Sequence, residues 1–220
     1  WVKDWKIKHD FLLPGEYREL CVNMLSTHDT TNWKAWWQYE AGTVDQGLFM
    51  RKCKERGIDF ISAKEKLFNP LFSFHGRLHW LNSIDSVDML ILGLSPQGSI
   101  PKEHLMDFID LYLNTFQEKE KLWKLLDCSG PVSQEASNEL LAKIIQFSLN
   151  SRAIFCIQSI IDWLVLADVF KNDPYQYRIN VPGTISPKNW SLRLPISLEE
   201  LLEHLVNEQI RKMITDSGRI

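Results

Sequence analysis

Apolar residues fall into short blocks, and the spacing within the blocks changes along the chain. Residues 20–25 (Leu-Cys-Val-Asn-Met-Leu) form a mostly apolar block after the Pro14-Gly15 turn signal. Such a block predicts a buried strand of a parallel sheet, which is apolar on both faces. The polar cluster 26–31 ends it. A helix is predicted from about Asn32, with Asp29, Thr30 or Thr31 available as its N-cap. Trp33, Trp36 and Trp37 recur at i, i+3 and i+4 and so share one helical face. Gly42 interrupts, and residues 45–56 resume helical spacing up to Gly57.

Residues 58–81 follow no single period, and residues 88–94 fit either a strand or a buried helical turn. Helices are predicted over 102–113 (after Pro101), over 119–126 and over 133–149. In the longest of these Leu140, Leu141, Ile144 and Ile145 form the apolar face, with Ser133 and Glu135 at its start. Residues 153–157 (Ala-Ile-Phe-Cys-Ile) are mostly β-branched and aromatic and predict a second buried strand. A short helix over 162–170, a loop over 175–193 and a last helix over 198–214 complete the chain. Ser197 and Glu200 carry a capping-box pattern at the start of that last helix.

The order strand, helices, strand, polar loop, helix fits two βα units of an α/β barrel with helical insertions. A whole (β/α)8 barrel needs eight such units and ~250 residues. The expected fold class is therefore α/β: the C-terminal part of a TIM barrel, helix-rich, with few strands. The start at Trp1, without Met and without a signal-peptide core in residues 1–10, is read as a cut. A partial barrel would leave sheet edges unpaired, so its strands should be covered or the chain should self-associate.

Composition narrows the function classes. With 45% hydrophobic residues, 24% charged residues and a net charge of −3, the chain is not a disordered one. Acids outnumber bases, 28 to 25, and no basic run stands out, which argues against a nucleic-acid partner. Polar residues break the apolar stretches well before the ~20 residues a bilayer needs, so no membrane partner is expected. Four scattered cysteines without Cys-x-x-Cys argue against a zinc ribbon or a disulfide scaffold and for a reducing cytoplasm.

Three segments offer chemistry. Ser26-Thr27-His28-Asp29-Thr30 follows the first strand, where barrel enzymes place functional groups. Asp29 there is an acid, base, ligand or hydroxyl clamp, or else it merely caps the next helix with His28 incidental. Arg178-Ile-Asn180-Val-Pro-Gly-Thr184, with Asn189-Trp190 beyond, suits hydrogen bonding to a hydroxyl-rich ligand, or is a loop held by its own side chains. Gln158 stands just past the second strand. His75 and His79 have the spacing of helical metal ligands, but Gly76 weakens a helix there and no Glu or Cys completes a set. Of the nine tryptophans, those at 33, 36 and 37 include core residues as well as candidate sugar platforms.

Taken in order, these segments resemble the 4-α-glucanotransferases (amylomaltase, disproportionating enzyme) of glycoside hydrolase family 77, in their C-terminal portion. The matching pieces are Ser26-Thr27-His28-Asp29 with Trp36-Trp37, residues 151–158, and Arg178-Ile-Asn-Val-Pro-Gly-Thr184 with Asn189-Trp190. The likeness is loosest over residues 58–138. It implies a (β/α)8 barrel that transfers α-1,4-glucan segments between maltooligosaccharides by retaining double displacement, with no cofactor and no metal. An Asp nucleophile and a Glu acid/base are expected on earlier strands, in an N-terminal part this chain does not match. Asp29 corresponds to the carboxylate that stabilises the transition state through the sugar hydroxyls. His28, Gln158, Arg178 and Asn180 correspond to substrate-binding positions. The family tends to place Asp directly after the glutamine; here Ser159 stands there, and Asp162 lies three further on. The isolated segment should be inactive. The alternative is a glucan-binding or structural piece without catalysis.

Overall fold

The computed structural model describes residues 11–95, 98 and 100–219. The reading of residues 1–10 lies outside them. In chain order the elements are β1 (Val22–Asn23), α1 (Trp33–Ala35), a π-helical turn (Trp36–Glu40), β2 (Thr43–Asp45), α2 (Gln46–Arg56), α3 (Phe60–Leu67), β3 (Phe68–Asn69), β4 (Arg77–Trp80), α4 (Val87–Leu94), α5 (Met106–Thr115) and α6 (Glu118–Leu125). They continue with α7 (Asn138–Leu149), β5 (Phe155–Cys156), α8 (Ile160–Leu166), a 3-10 turn (Pro174–Tyr177), α9 (Leu198–Glu203) and α10 (Val206–Asp216). This is a helix-rich α/β chain with few strands. It forms two compact units, residues 11–38 with 122–219 and residues 39–121.

In the first unit β1 and β5 pair in parallel, Val22 opposite Phe155 and Asn23 opposite Cys156. Each strand is followed by a helix. The two predicted strands therefore exist, each trimmed to two residues. They are not buried throughout as predicted: Val22 is 53% and Phe155 58% exposed, whereas Asn23 is buried. Among the described residues no third strand joins the pair, so its outer edges are left uncovered. The core lies instead between helices. α7 supplies Leu140, Leu141, Ile144 and Ile145, and α8 is buried from Ile161 through Leu166. Because α8 is surrounded, its sequence shows no amphipathic period.

α7 begins five residues later than predicted. Ser137 accepts the Leu140 N–H and caps it, whereas Ser133 closes a local turn with Glu135. The predicted last helix is two. The Ser197–Glu200 capping box starts α9 as expected. His204 then turns extended, its Nδ1 accepts the Val206 N–H, and Asn207 donates to the Leu201 and Leu202 carbonyls. Trp33 and Trp37 stack at 5.5 Å inside the core, and the Trp37 Nε1–H donates to the Ser133 carbonyl. Neither is a sugar platform.

In the second unit a three-stranded antiparallel sheet, ordered β2-β4-β3, packs with helices around an aromatic core. Trp80 stacks on Phe68 at 4.4 Å, and Phe49 meets Phe68 and Phe108 edge-on. Burial pushes the Tyr112 hydroxyl up to about 12 while it donates to the Ile84 carbonyl. Gly57, at φ 65°, ends α2 in the left-handed conformation that favours glycine. The ambiguous residues 88–94 are helical. His75 and His79 do not share a helix: His79 lies on β4, and the His75 ring meets Tyr39 edge-on.

Candidate functional site

The first strand hands the chain to a tight loop. Thr27 and Thr30 close a turn: the Thr30 N–H donates to the Thr27 carbonyl, and the Thr27 N–H donates to Thr30 Oγ1. The helix after the loop is capped by Asn32, whose Oδ1 accepts the Ala35 N–H at 3.0 Å while its Nδ2 donates to the Pro174 carbonyl at 2.7 Å. Asp29 is therefore not the helix cap. Its side chain stands 48% exposed, that of His28 55%.

The second loop comes to meet the first. The Asn180 N–H donates to the His28 carbonyl at 3.0 Å, and Arg178 donates to the Asp29 carbonyl at 3.0 Å. The Asn180 side chain donates to Asp29 Oδ1 at 2.7 Å. Arg178 Nε also donates to the Asn180 carbonyl, which stiffens its own loop. Main chain is thus docked on main chain, and a side-chain amide holds the carboxylate. The other carboxylate oxygen, Oδ2, lies 3.4 Å from His28 Nε2.

Trp190 completes the cluster. Its indole lies 5.1 Å from the His28 ring at 37°, and the Trp190 main-chain N–H donates to the Ile179 carbonyl at 2.7 Å. It holds φ 61°, an unusual conformation for a bulky residue, and is 65% exposed. Asn189 ties the loop by accepting the Val181 N–H and donating to Thr184.

Four of the five candidate residues (His28, Asp29, Arg178 and Asn180) therefore lie together. Gln158 does not join them. Its Nε2 donates to Ser148 Oγ at 2.8 Å and to Cys156 Sγ at 3.1 Å. Trp190 was legible only as part of the Asn189-Trp190 pair. Asp162 was legible only as a displaced acid. It is fully buried, with Ser26 donating to Oδ2 at 2.5 Å and the Trp33 N–H donating to Oδ1 at 2.8 Å. Burial pushes its carboxyl above the ordinary range, and those two donors oppose the shift.

The arrangement suits hydroxyl recognition. An exposed carboxylate accepts hydrogen bonds from hydroxyls, the neighbouring imidazole exchanges them, and an indole face accepts the apolar face of a ring. Among the described residues no group of three or more His, Cys, Asp or Glu could hold a metal ion. None of the described helices is long and apolar enough to cross a membrane.

The family model of the 4-alpha-glucanotransferases matches residues 1–199. The chain belongs to that family. The 4-alpha-glucanotransferase of Chlamydia muridarum is 43% identical over 208 residues, covering 93% of this chain and 24% of the relative. That of Chlamydia pneumoniae is 37% identical over 110 residues, 49% of this chain and 20% of the relative. The chain thus spans about a quarter or less of the length of these 4-alpha-glucanotransferases.

Proposed function

We propose that this chain is part of a 4-alpha-glucanotransferase, in which it supplies a carboxylate that grips the reacting sugar. The observation that carries this reading is the cluster around Asp29: an exposed carboxylate oriented by Asn180 and flanked by His28, whose ring lies against Trp190. In this reading β1 and β5 are strands of a (β/α)8 barrel, and the loops after β1 and β5 open at the same end of it. An Asp on an upstream strand attacks the anomeric carbon while a Glu protonates the leaving oxygen. The glucosyl–enzyme ester then yields to the 4-hydroxyl of an acceptor glucan, whose proton returns to the Glu, so an α-1,4 bond is remade. Asp29 accepts hydrogen bonds from hydroxyls of the sugar in the reacting position, and these strengthen as its ring distorts.

The substrate is a maltooligosaccharide or α-1,4-glucan, and the bond-breaking carboxylates come from the N-terminal part of the longer protein. A cytoplasmic setting belongs to the same proposal, supported by four free thiols at Cys21, Cys53, Cys128 and Cys156. The test is maltotriose incubated with the full-length protein and, separately, with the 220-residue chain. Glucose and longer maltooligosaccharides should form with the first and not with the second. Chain-length scrambling by the short chain alone would overturn the division of labour, and none by the full-length protein would overturn the activity.

A further inference from the structure

We infer that Asp162 is a positioning residue for Asp29, because its one carboxylate ties down both ends of the loop that carries His28 and Asp29. The inference rests on the reading of Asp29 above. Ser26 begins the loop and Trp33 follows its end; Oδ2 of Asp162 accepts the Ser26 hydroxyl, and Oδ1 accepts the Trp33 N–H. The carboxylate is rigid and planar, so it fixes the separation of the two tie points. The loop tip is held independently, by Asn180 and Arg178. Asp29 is thereby anchored from below and from the side.

Three further observations favour positioning over simple packing. The side chain is 0% exposed, and the described groups bonded to its two oxygens are neutral donors, the Ser26 hydroxyl and the Trp33 N–H. A buried carboxylate is costly unless its hydrogen bonds are made, and an apolar residue would fill the space more cheaply. Nor does α8 need it as a cap, since Ser159 accepts the Ile161 N–H. Both oxygens are committed to one other segment, the one bearing Asp29.

The test uses the full-length protein and maltotriose, measuring kcat, KM and thermal unfolding. Asp162→Ala, Asp162→Asn and Ser26→Ala are made alone and in an Asp29→Asn background. Since a misplacement near 1 Å can cost about 100-fold, Asp162→Ala should lower kcat at least about 30-fold, and Ser26→Ala, which cuts one tie, about 5-fold, with KM within about 2-fold. Asp162→Asn can still accept from Trp33 and donate to Ser26, and should keep kcat within about 3-fold. In the Asp29→Asn background neither Ser26→Ala nor Asp162→Ala should lower the residual rate further, because residues acting through one group do not add. Equal losses in both backgrounds would overturn the inference, as would an unchanged kcat in Ser26→Ala. If Asp162→Ala does not fold, the Ser26→Ala arm decides. An Asp29→Asn protein that keeps the full rate would overturn the reading of Asp29 itself, and the inference with it.

Discussion

The Asn180 amide donates to Asp29 Oδ1 at 2.7 Å although 151 positions separate the two residues. The contact therefore reports how the two loops dock, not local chain geometry. It leaves Oδ2 beside His28 on a side chain that is about half exposed. Asn180→Ala should free the carboxylate to rotate. A loss of about 10-fold in kcat on maltotriose, about 1.4 kcal/mol, is expected in the full-length protein. Thermal unfolding should move little, because a half-exposed bond contributes at most about 1 kcal/mol. Rate and melting curves of the same variant check both halves.

Trp190 carries opposing demands. In the proposed site its exposed indole would take a sugar ring, yet its φ of 61° is one that glycine adopts without strain. Trp190→Ala and Trp190→Gly should both raise KM for maltooligosaccharides by about 10-fold through lost stacking. Trp190→Gly should melt above Trp190→Ala, because only glycine relaxes the backbone, a difference of about 1 kcal/mol. Parallel calorimetry on the two variants measures it.

Asn32 uses both ends of its amide, capping α1 and holding the Pro174 carbonyl, while 4% exposed. Asn32→Ala loses the cap and strands a buried carbonyl. The expected cost is about 2–3 kcal/mol, read from urea unfolding.

Asp162 makes stability depend on pH in an unusual direction. Burial raises its carboxyl, so the folded chain keeps a proton that the unfolded chain releases. Stability is therefore lost as pH rises from the ordinary carboxylate value, about 4, through the raised folded value. Asp162→Asn removes that slope. Over this window the melting temperature of the unsubstituted protein should fall relative to that of the Asn variant. The difference between the two curves isolates this one group.

Much of the fold could be read from spacing. The capping box at Ser197, the helix over 46–56 ending at Gly57 and the apolar face of α7 all follow local rules. What resisted was decided by tertiary partners. β3 is too short to show a period and β4 alternates over only four residues; their sheet is fixed by Trp80, which stacks on Phe68 and meets Tyr112 edge-on. The exposure of Val22 and Phe155 was hidden because an apolar block reads alike whether covered or bare. At the site, His28 and Asp29 are legible as a polar cluster after the first predicted strand, and Arg178 and Asn180 as another beside the Pro182-Gly183 turn. Their meeting was implied only by resemblance. Gln158 is held apart from them by Ser148 and Cys156, partners that its place after the second strand does not reveal. The sequence shows Asp162 only as an acid displaced from the position after Gln158; its tie between Ser26 and Trp33 depends on contacts across the fold.

The most direct measurement is the disproportionation rate of maltotriose by the full-length protein carrying Asp29→Asn. That change keeps the side chain's shape but removes the negative charge that the proposal assigns to gripping sugar hydroxyls. A loss of about 100-fold or more in kcat is predicted, with the melting temperature within a few degrees of the unsubstituted protein. A rate within 2-fold, at full folding, would contradict the assignment of Asp29 as the sugar-gripping carboxylate.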